Sequence, residues 1–525
     1  MLDQDTISPD GAPSDGADRP DSHTFSPAPL TARTKVAAAA GSIVSGLSRR
    51  LGRGSGSVIG GRAILAIQPG ALPELSAGHD IALVSGTNGK TTTTTLLAAA
   101  LGAGREWDAG PSGRERDTGA SGEGSHRHPV VHNLQGANLP PGLAVALAAG
   151  EPGALAALEV DEAWLRRVVS QTSPQVALLL NLSRDQLDRN NEVRHLAGAW
   201  RETFDAVDAP KVVANADDPL VVWGAGDSDN VTWVGAGQPW IADASACPAC
   251  GGRLHFPTGA TDIASAPDEP APAAPHIDAS AAEPVPGAAE SAGWRCTSCG
   301  RHRPELHYWV EDGEIVTKSG GRYKLGLRLP GRANVANAAM ALAGAEALGI
   351  DPQAAIEAMG AVTDVGGRYR QINFEGRSLR LLLSKNPAGW LEVLDVLNPA
   401  PAPVVIAINA RIADGRDPSW LWDVPFERLK GRRVVATGER SRDLAVRLRY
   451  ADVDHVRVDD LIEAVRTIEA PSYDVVGNYT SFQDLVHRLE RMTKGDSGPR
   501  GRERGSGPSG RERGNGPSGR ERGNG

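Results

Sequence analysis

Ile81-Ala82-Leu83-Val84-Ser85-Gly86-Thr87-Asn88-Gly89-Lys90-Thr91-Thr92 is the stretch that decides the fold. Its first four residues form an apolar run, its middle is a glycine turn, and Leu96-Leu97-Ala98-Ala99-Ala100-Leu101 continues as a helix-like segment. Strand, turn and helix N-terminus are the parts of an anion site, because backbone N–H groups and the helix dipole point at the ligand there. Gly86, Thr87, Asn88, Gly89, Lys90, Thr91 and Thr92 therefore read as a nucleotide-phosphate loop. Lys90 would reach the terminal phosphates of ATP, and the Thr91 hydroxyl would hold Mg²⁺. The full G-x-x-x-x-G-K pattern wants glycine where this chain has Val84.

Downstream, Ala154-Leu155-Ala156-Ala157-Leu158 reads as a buried strand that delivers Glu159-Val160-Asp161-Glu162 at its C-terminal end. In open α/β sheets such ends face the ligand crevice, so Glu159 is a candidate Mg²⁺ partner. Val176 to Leu182 and Lys211 to Ala214 repeat the pattern, with polar ends at Ser183 to Arg189 and Asn215 to Pro219. Strands alternating with helices predict a mostly parallel sheet. Leu329-Pro330-Gly331-Arg332-Ala333-Asn334 reads as a turn entering an Ala-rich helix. Asn334 is placed to cap that helix, whereas Asn337, three residues on, suits a ligand such as an adenine edge. After residue 363 further strand ends follow, at Lys385-Asn386-Pro387, Asn409, Gly438 and Asn478. They predict a second, smaller α/β domain over 363–492. Its Asp414-Gly415-Arg416-Asp417 stretch precedes Trp420 and Trp422, a pattern that suits a protein contact.

The four cysteines form two pairs, Cys247-Pro248-Ala249-Cys250 and Cys296-Thr297-Ser298-Cys299, each followed by glycine. Two C-x-x-C knuckles can offer four thiolates to one tetrahedral Zn²⁺, which predicts a ribbon over about 244–303. The Ala/Pro-rich stretch 257–292 between them loops out at small entropic cost. With all four committed to metal, no cysteine remains as a catalytic nucleophile.

Composition bounds the rest. Residues 1–34, 104–128, 257–292 and 493–525 are polar, Pro/Gly-rich or repetitive and carry too little apolar surface to order themselves. The central ATP-binding domain is expected over 35–362. A net charge of −9 argues against a nucleic-acid binder. Without a continuous apolar span or a signal core, the expected location is the cytoplasm. Lys35, Arg49, Arg50 and Arg53 sit among small apolar residues, as in a plain surface helix or, alternatively, a basic helix that touches anionic lipid.

These motifs together resemble the Mur ligase superfamily. The loop 86–92, the Glu159 strand end, the Asn181…Asp185-Gln186-Leu187-Asp188 segment and the Gly331…Asn334…Asn337 helix all resemble its ATP-binding centre. The four-cysteine ribbon, Asn215-Ala216-Asp217-Asp218-Pro219, Lys385 to Gly389 and Asp414 to Trp420 are similar to the MurT branch, a subunit family of lipid II isoglutaminyl synthases. The resemblance implies that ATP activates the α-carboxyl of D-isoglutamate in the lipid II stem peptide as an acyl phosphate, and that ammonia converts it to D-isoglutamine. It implies catalytic roles for Lys90 and Glu159, an adenine contact for Asn337, and action at the inner face of the membrane. It also implies a GatD-type glutaminase partner, whose Cys-His-Asp triad Asp417 would complete. An amino-acid-adding Mur or folylpolyglutamate-synthase-like ligase and an ATP-binding scaffold are the competing readings. Two departures stand out. The phosphate loop comes too early for the usual UDP-binding domain, and Asn409-Ala410 replaces a frequent Asn-Asp.

Overall fold

The computed structural model describes residues 29–50, 57–103, 130–133, 137–184, 193–206, 208–256, 293–363, 365 and 369–495. The inserts 104–128 and 257–292, the Asp185-to-Asp188 segment, Arg53 and the repeats from 496 onward lie outside the described residues.

Three helices lead in: α1 (Ala32–Arg50), α2 (Ser57–Ile67) and α3 (Ala71–Ser76). The last residues of the stretch read as an N-terminal tail are thus helical, with α1 starting at Ala32. Next come β1 (Asp80–Ser85), α4 (Lys90–Leu101), β2 (Val131–His132), α5 (Pro140–Ala149), β3 (Leu155–Glu159), α6 (Leu165–Thr172) and β4 (Val176–Leu179). They are followed by α7 (Val193–Phe204), β5 (Lys211–Asn215), α8 (Pro219–Gly224) and β6 (Val231–Gly235). Continuous apolar runs, rather than alternation, make these strands suitable for a sheet covered on both faces. They pair in parallel, with Ile81 opposite Ala156 and Ala82 opposite Val176.

The short β7 (Leu254–His255) and β8 (Arg295–Cys296) form an antiparallel ribbon inserted after β6. The main sheet then gains β9 (Tyr308–Glu311), β10 (Glu314–Thr317) and β11 (Arg322–Lys324), the last two antiparallel. Its order is β11-β10-β9-β6-β5-β4-β1-β3-β2. α9 (Arg332–Ala347) and α10 (Pro352–Gly360) return across one face. Leu96, Leu97, Leu178 and the alanines of α9 fill that side, while Leu165, Trp200 and Phe204 fill the other. The antiparallel extension had no sequence signal comparable to the buried parallel strands.

The second sheet is built from β12 (Tyr369–Phe374), β13 (Arg377–Leu383), α11 (Pro387–Val396), β14 (Val404–Ala407), β15 (Val434–Thr437) and α12 (Ser441–Tyr450). It is completed by β16 (His455–Arg457), α13 (Leu461–Arg466), β17 (Ser472–Gly477) and α14 (Tyr479–Gly495). Its order is β12-β13-β17-β14-β15-β16, parallel except for β12. The molecule is therefore an α/β protein with the architecture that the Mur ligase resemblance implies: a parallel-rich central sheet with an inserted four-cysteine ribbon, plus a smaller C-terminal α/β domain.

Candidate active site

β1 lies between β3 and β4, so the chain departs from it to both sides. Such a switch point opens a crevice at the C-terminal strand ends. The loop Gly86–Gly89 occupies it. Gly86 and Gly89 have φ of +143° and +83°, conformations that side chains disfavour. A Cβ at Gly86 would also stand 2.8 Å from Leu180 Cβ. Asn181, at the end of β4, fixes the loop from below: its carbonyl accepts from the Thr87 N–H at 2.8 Å and its Oδ1 from the Asn88 N–H at 2.9 Å.

Lys90 opens α4, and no side chain caps that helix. The buried ammonium of Lys90 donates to Gly86 O at 2.5 Å and lies 3.1 Å from Glu162 Oε1. At the next residue, Thr91 Oγ1 donates to Glu159 Oε2 at 2.9 Å. Glu159 is itself pinned: Asn133 accepts from its N–H at 2.7 Å and donates to its carbonyl at 2.8 Å. Asn138 Nδ2 approaches its second carboxylate oxygen at 3.4 Å. Burial, then the neighbouring Glu162, push the Asp161 carboxyl above its ordinary range, while Lys90 and Lys385 oppose this.

A helix N-terminus, a buried ammonium, a hydroxyl and a pinned carboxylate meet what a polyphosphate with a divalent cation requires. Mg²⁺ favours one or two carboxylates together with phosphate and water, and Glu159 with Thr91 offers such a donor set. Asn337 projects from α9 against the loop rather than across the crevice. Its Oδ1 accepts from Thr93 Oγ1 at 3.2 Å and would stand 2.5 Å from a Cβ on Gly89. Asn334 does not cap its helix; its amide donates back to Pro330 O at 2.6 Å.

The second domain closes over this site. Asn386 caps α11 through the Gly389 N–H at 2.9 Å and donates to Asn88 Oδ1 at 3.1 Å, joining the domains at the phosphate loop. Arg184, Asp243, Lys385, Asp417, Trp420 and Asp423 line the adjoining cleft. Arg184 pairs with Asp243 and reaches Asp423 at 3.6 Å. The two aspartates of the Asp414-to-Asp417 loop differ. Asp414 is buried and accepts from the Thr480 N–H at 2.8 Å, which anchors the loop. Asp417 is exposed at the rim and accepts the Ser419 N–H at 2.9 Å. Trp422 is 54% exposed beside it in sequence, edge-on to Tyr450. Asn409 is fully engaged, bonding Thr480 Oγ1 at 3.0 Å and the Glu439 N–H at 3.1 Å.

The cysteines gather in the inserted ribbon. Cys247, Cys250, Cys296 and Cys299 place their sulfurs within 4.8 Å of one another, with Cys247–Cys299 at 3.7 Å and Cys250–Cys296 at 3.5 Å. Tetrahedral thiolates with metal–sulfur bonds of about 2.3 Å stand about 3.8 Å apart, so the donor set fits zinc. Backbone N–H groups of Cys299 and Ser298 hold the Cys296 thiol down, to about 6. Gly251 and Gly300 both take φ of +74°, which turns each knuckle. Trp294 anchors the ribbon on the central domain, its indole N–H donating to Ala216 O at 3.0 Å.

Residues 84–238 match the Mur ligase middle domain, and residues 383–482 match the MurT ligase C-terminal domain. The chain is 26% identical over 437 residues to the lipid II isoglutaminyl synthase (glutamine-hydrolyzing) subunit MurT of Staphylococcus aureus, covering 79% of this chain and 88% of that one. Its Streptococcus pneumoniae counterpart is 26% identical over 476 residues, covering 85% and 95%. The chain thus carries a Mur ligase middle domain followed by a MurT-type C-terminal domain. It is accordingly an ATP-dependent ligase of the synthetase-subunit type. Solved Mur-type folds agree. A pseudomurein peptide ligase type C from Methanothermus fervidus superposes with TM-score 0.55 at 18% identity, covering 79% of each chain. MurF from Acinetobacter baumannii gives 0.52 at 15% identity, covering 82% of this chain and 80% of that one.

Within this MurT-type site, sequence spacing pointed to Glu159 but not to Glu162, Asn133, Asn138, Lys385 or Arg184. Glu162 was visible in the acidic turn after β3. Its partnership with Lys90 depends on how that turn folds back.

Proposed function

We propose that this chain is the synthetase half of a lipid II amidating enzyme. ATP transfers its γ-phosphoryl group to the α-carboxylate of D-isoglutamate in the stem peptide. Ammonia then attacks the acyl carbon, inorganic phosphate leaves with one former carboxylate oxygen, and the nitrogen loses a proton to give D-isoglutamine. Such a transfer is governed by positioning and charge neutralisation. Lys90 and the α4 N-terminus take the polyphosphate, and Asn337 supports the loop and borders the adenine. Thr91 and Glu159 would hold Mg²⁺, which neutralises charge on the phosphates. Lys385, which faces the Asp161–Glu162 turn from the second domain, is placed to receive the carboxylate. The four cysteines would hold a structural zinc.

The observation that carries this reading is one constellation: Lys90 with Glu162, and Thr91 with Glu159, in a crevice closed by a MurT-type second domain. The cysteines all belong to the ribbon cluster, which leaves no thiol for glutamine hydrolysis and supports a separate GatD-type glutaminase. Exposed Asp417 is then available to orient that partner's catalytic histidine.

Heavy-oxygen labelling of the substrate carboxylate tests the chemistry. An acyl phosphate places one labelled oxygen in the released phosphate for each amide formed. Unlabelled phosphate would exclude it.

A further inference from the structure

Helix α1 is built inside out. Its buried residues are small or polar: Thr34, Ala37, Gly41, Ser45 and Ser48. They allow close packing on α2, where a Cβ on Gly41 would stand 2.4 Å from Ile64 and one on Gly60 would stand 1.9 Å from Ser45 Oγ. The large apolar residues point the other way. Val36, Ile43 and Leu47 are 62%, 71% and 57% exposed. At 3.6 residues per turn they fall within about 40° of one another on the outer face. Val58 and Ile59 of α2 are also exposed.

The charged residues of the two helices themselves have one sign. Neither helix contains Asp or Glu, whereas Arg33, Lys35, Arg49 and Arg50 of α1 and Arg62 of α2 are exposed. This contrasts with a chain whose net charge is −9. The platform is firmly seated. Glu74 accepts from the Thr31 N–H at 3.1 Å and from Thr34 Oγ1 at 2.7 Å, at the start of α1. α2 packs on α5, where a Cβ on Gly61 would stand 1.8 Å from Pro141 O. Just before α5, Asn138 contacts Glu159, so the platform is structurally continuous with the wall of the active site.

We propose that the outer face of α1, with the start of α2, docks on a bilayer containing anionic lipid. Val36, Ile43 and Leu47 enter the acyl boundary, and the flanking Lys and Arg residues engage the head groups. No helix among the described residues is long and apolar enough to cross a membrane. The contact is therefore peripheral and reversible.

Co-sedimentation of the full chain with vesicles tests this. The native chain should bind vesicles of equal parts phosphatidylglycerol and phosphatidylcholine. Binding should weaken with added salt and be slight on phosphatidylcholine alone. Ile43→Glu with Leu47→Glu should lower the partition by about tenfold or more, with unchanged thermal midpoint and vesicle-free ATP turnover. Arg49→Glu with Arg50→Glu, which leaves the apolar face intact, should lower it on anionic vesicles only. Absence of native binding, or undiminished binding of anionic vesicles by both variants relative to the native chain, would overturn the proposal. So would a native dimer that the Ile43/Leu47 variant converts to monomer, because the face would then join two copies of this chain.

Discussion

On the proposed function, Lys90 is the side chain on which the chemistry would turn. Its ammonium is buried against Glu162 and the loop carbonyl of Gly86. Removing it would leave a transferring phosphoryl group without this protein cation. Lys90→Met should lower amidation by ~10³-fold with either glutamine or ammonium as nitrogen source, the scale of a lost transition-state donor. Steady-state amide formation with both donors checks this, and retained activity with ammonium would remove Lys90 from the phosphoryl step. Asp417 makes the opposite prediction. It is exposed and accepts from the nearby Ser419 N–H, so Asp417→Asn should slow glutamine-driven amidation while sparing the ammonium-driven reaction. Equal loss of both rates would contradict a role in the partner's triad. Both residues were legible in the sequence, Lys90 from its glycine loop and Asp417 from its resemblance to the MurT pattern. Glu162 and Lys385 were not. Their roles arise from contacts between the loop, the turn after β3 and the second domain, which no local spacing encodes.

At the scale of elements, the ribbon and the start of α1 each rest on a small number of contacts. The four-cysteine ribbon has only two short strands and a small apolar patch around Trp294 and Leu254. A zinc ion held by the four cysteines would supply much of its stability. Elemental analysis should find about one zinc per chain. A chelator should release it together with a change in tryptophan emission from Trp294, and a metal-free chain with unchanged emission would refute the assignment. The start of α1 depends on Glu74. Hydrogen bonds from Thr34 and Thr31 hold its carboxyl down, to about 2 from an ordinary 4.5. A depressed folded-state pKa contributes stability that is full above pH 4.5 and lost as pH falls toward 2. Protection from hydrogen exchange at the first turn of α1, taken relative to the intrinsic rate at each pH, should therefore fall over that interval. Glu74→Gln should show fast exchange already at neutral pH, and identical profiles would show that Glu74 does not hold the helix. Sequence periodicity found the buried parallel strands because their apolar runs are continuous. It missed the β9-to-β11 extension, whose half-buried strands mix charged and aromatic residues.

For the whole molecule, two parallel-rich sheets meet at the phosphate loop through Asn386 and Asn88. The fold class was legible because each strand ends in a polar cluster and the cysteines pair at metal spacing. The closure of the second domain was not legible, since it depends on side chains far apart in the chain, as with the separation of 298 between Asn88 and Asn386. On the proposed function, an ATP-driven carboxylate activator is joined to a rim bearing Asp417 and exposed Trp422, with no spare thiol among the cysteines. That division of labour is tested most directly by assaying the purified chain with lipid II, ATP and Mg²⁺. It should form the amide from ammonium by itself, and from glutamine only when a glutaminase subunit is added. Amide formation from glutamine by the lone chain, or none from ammonium under any condition, would contradict it.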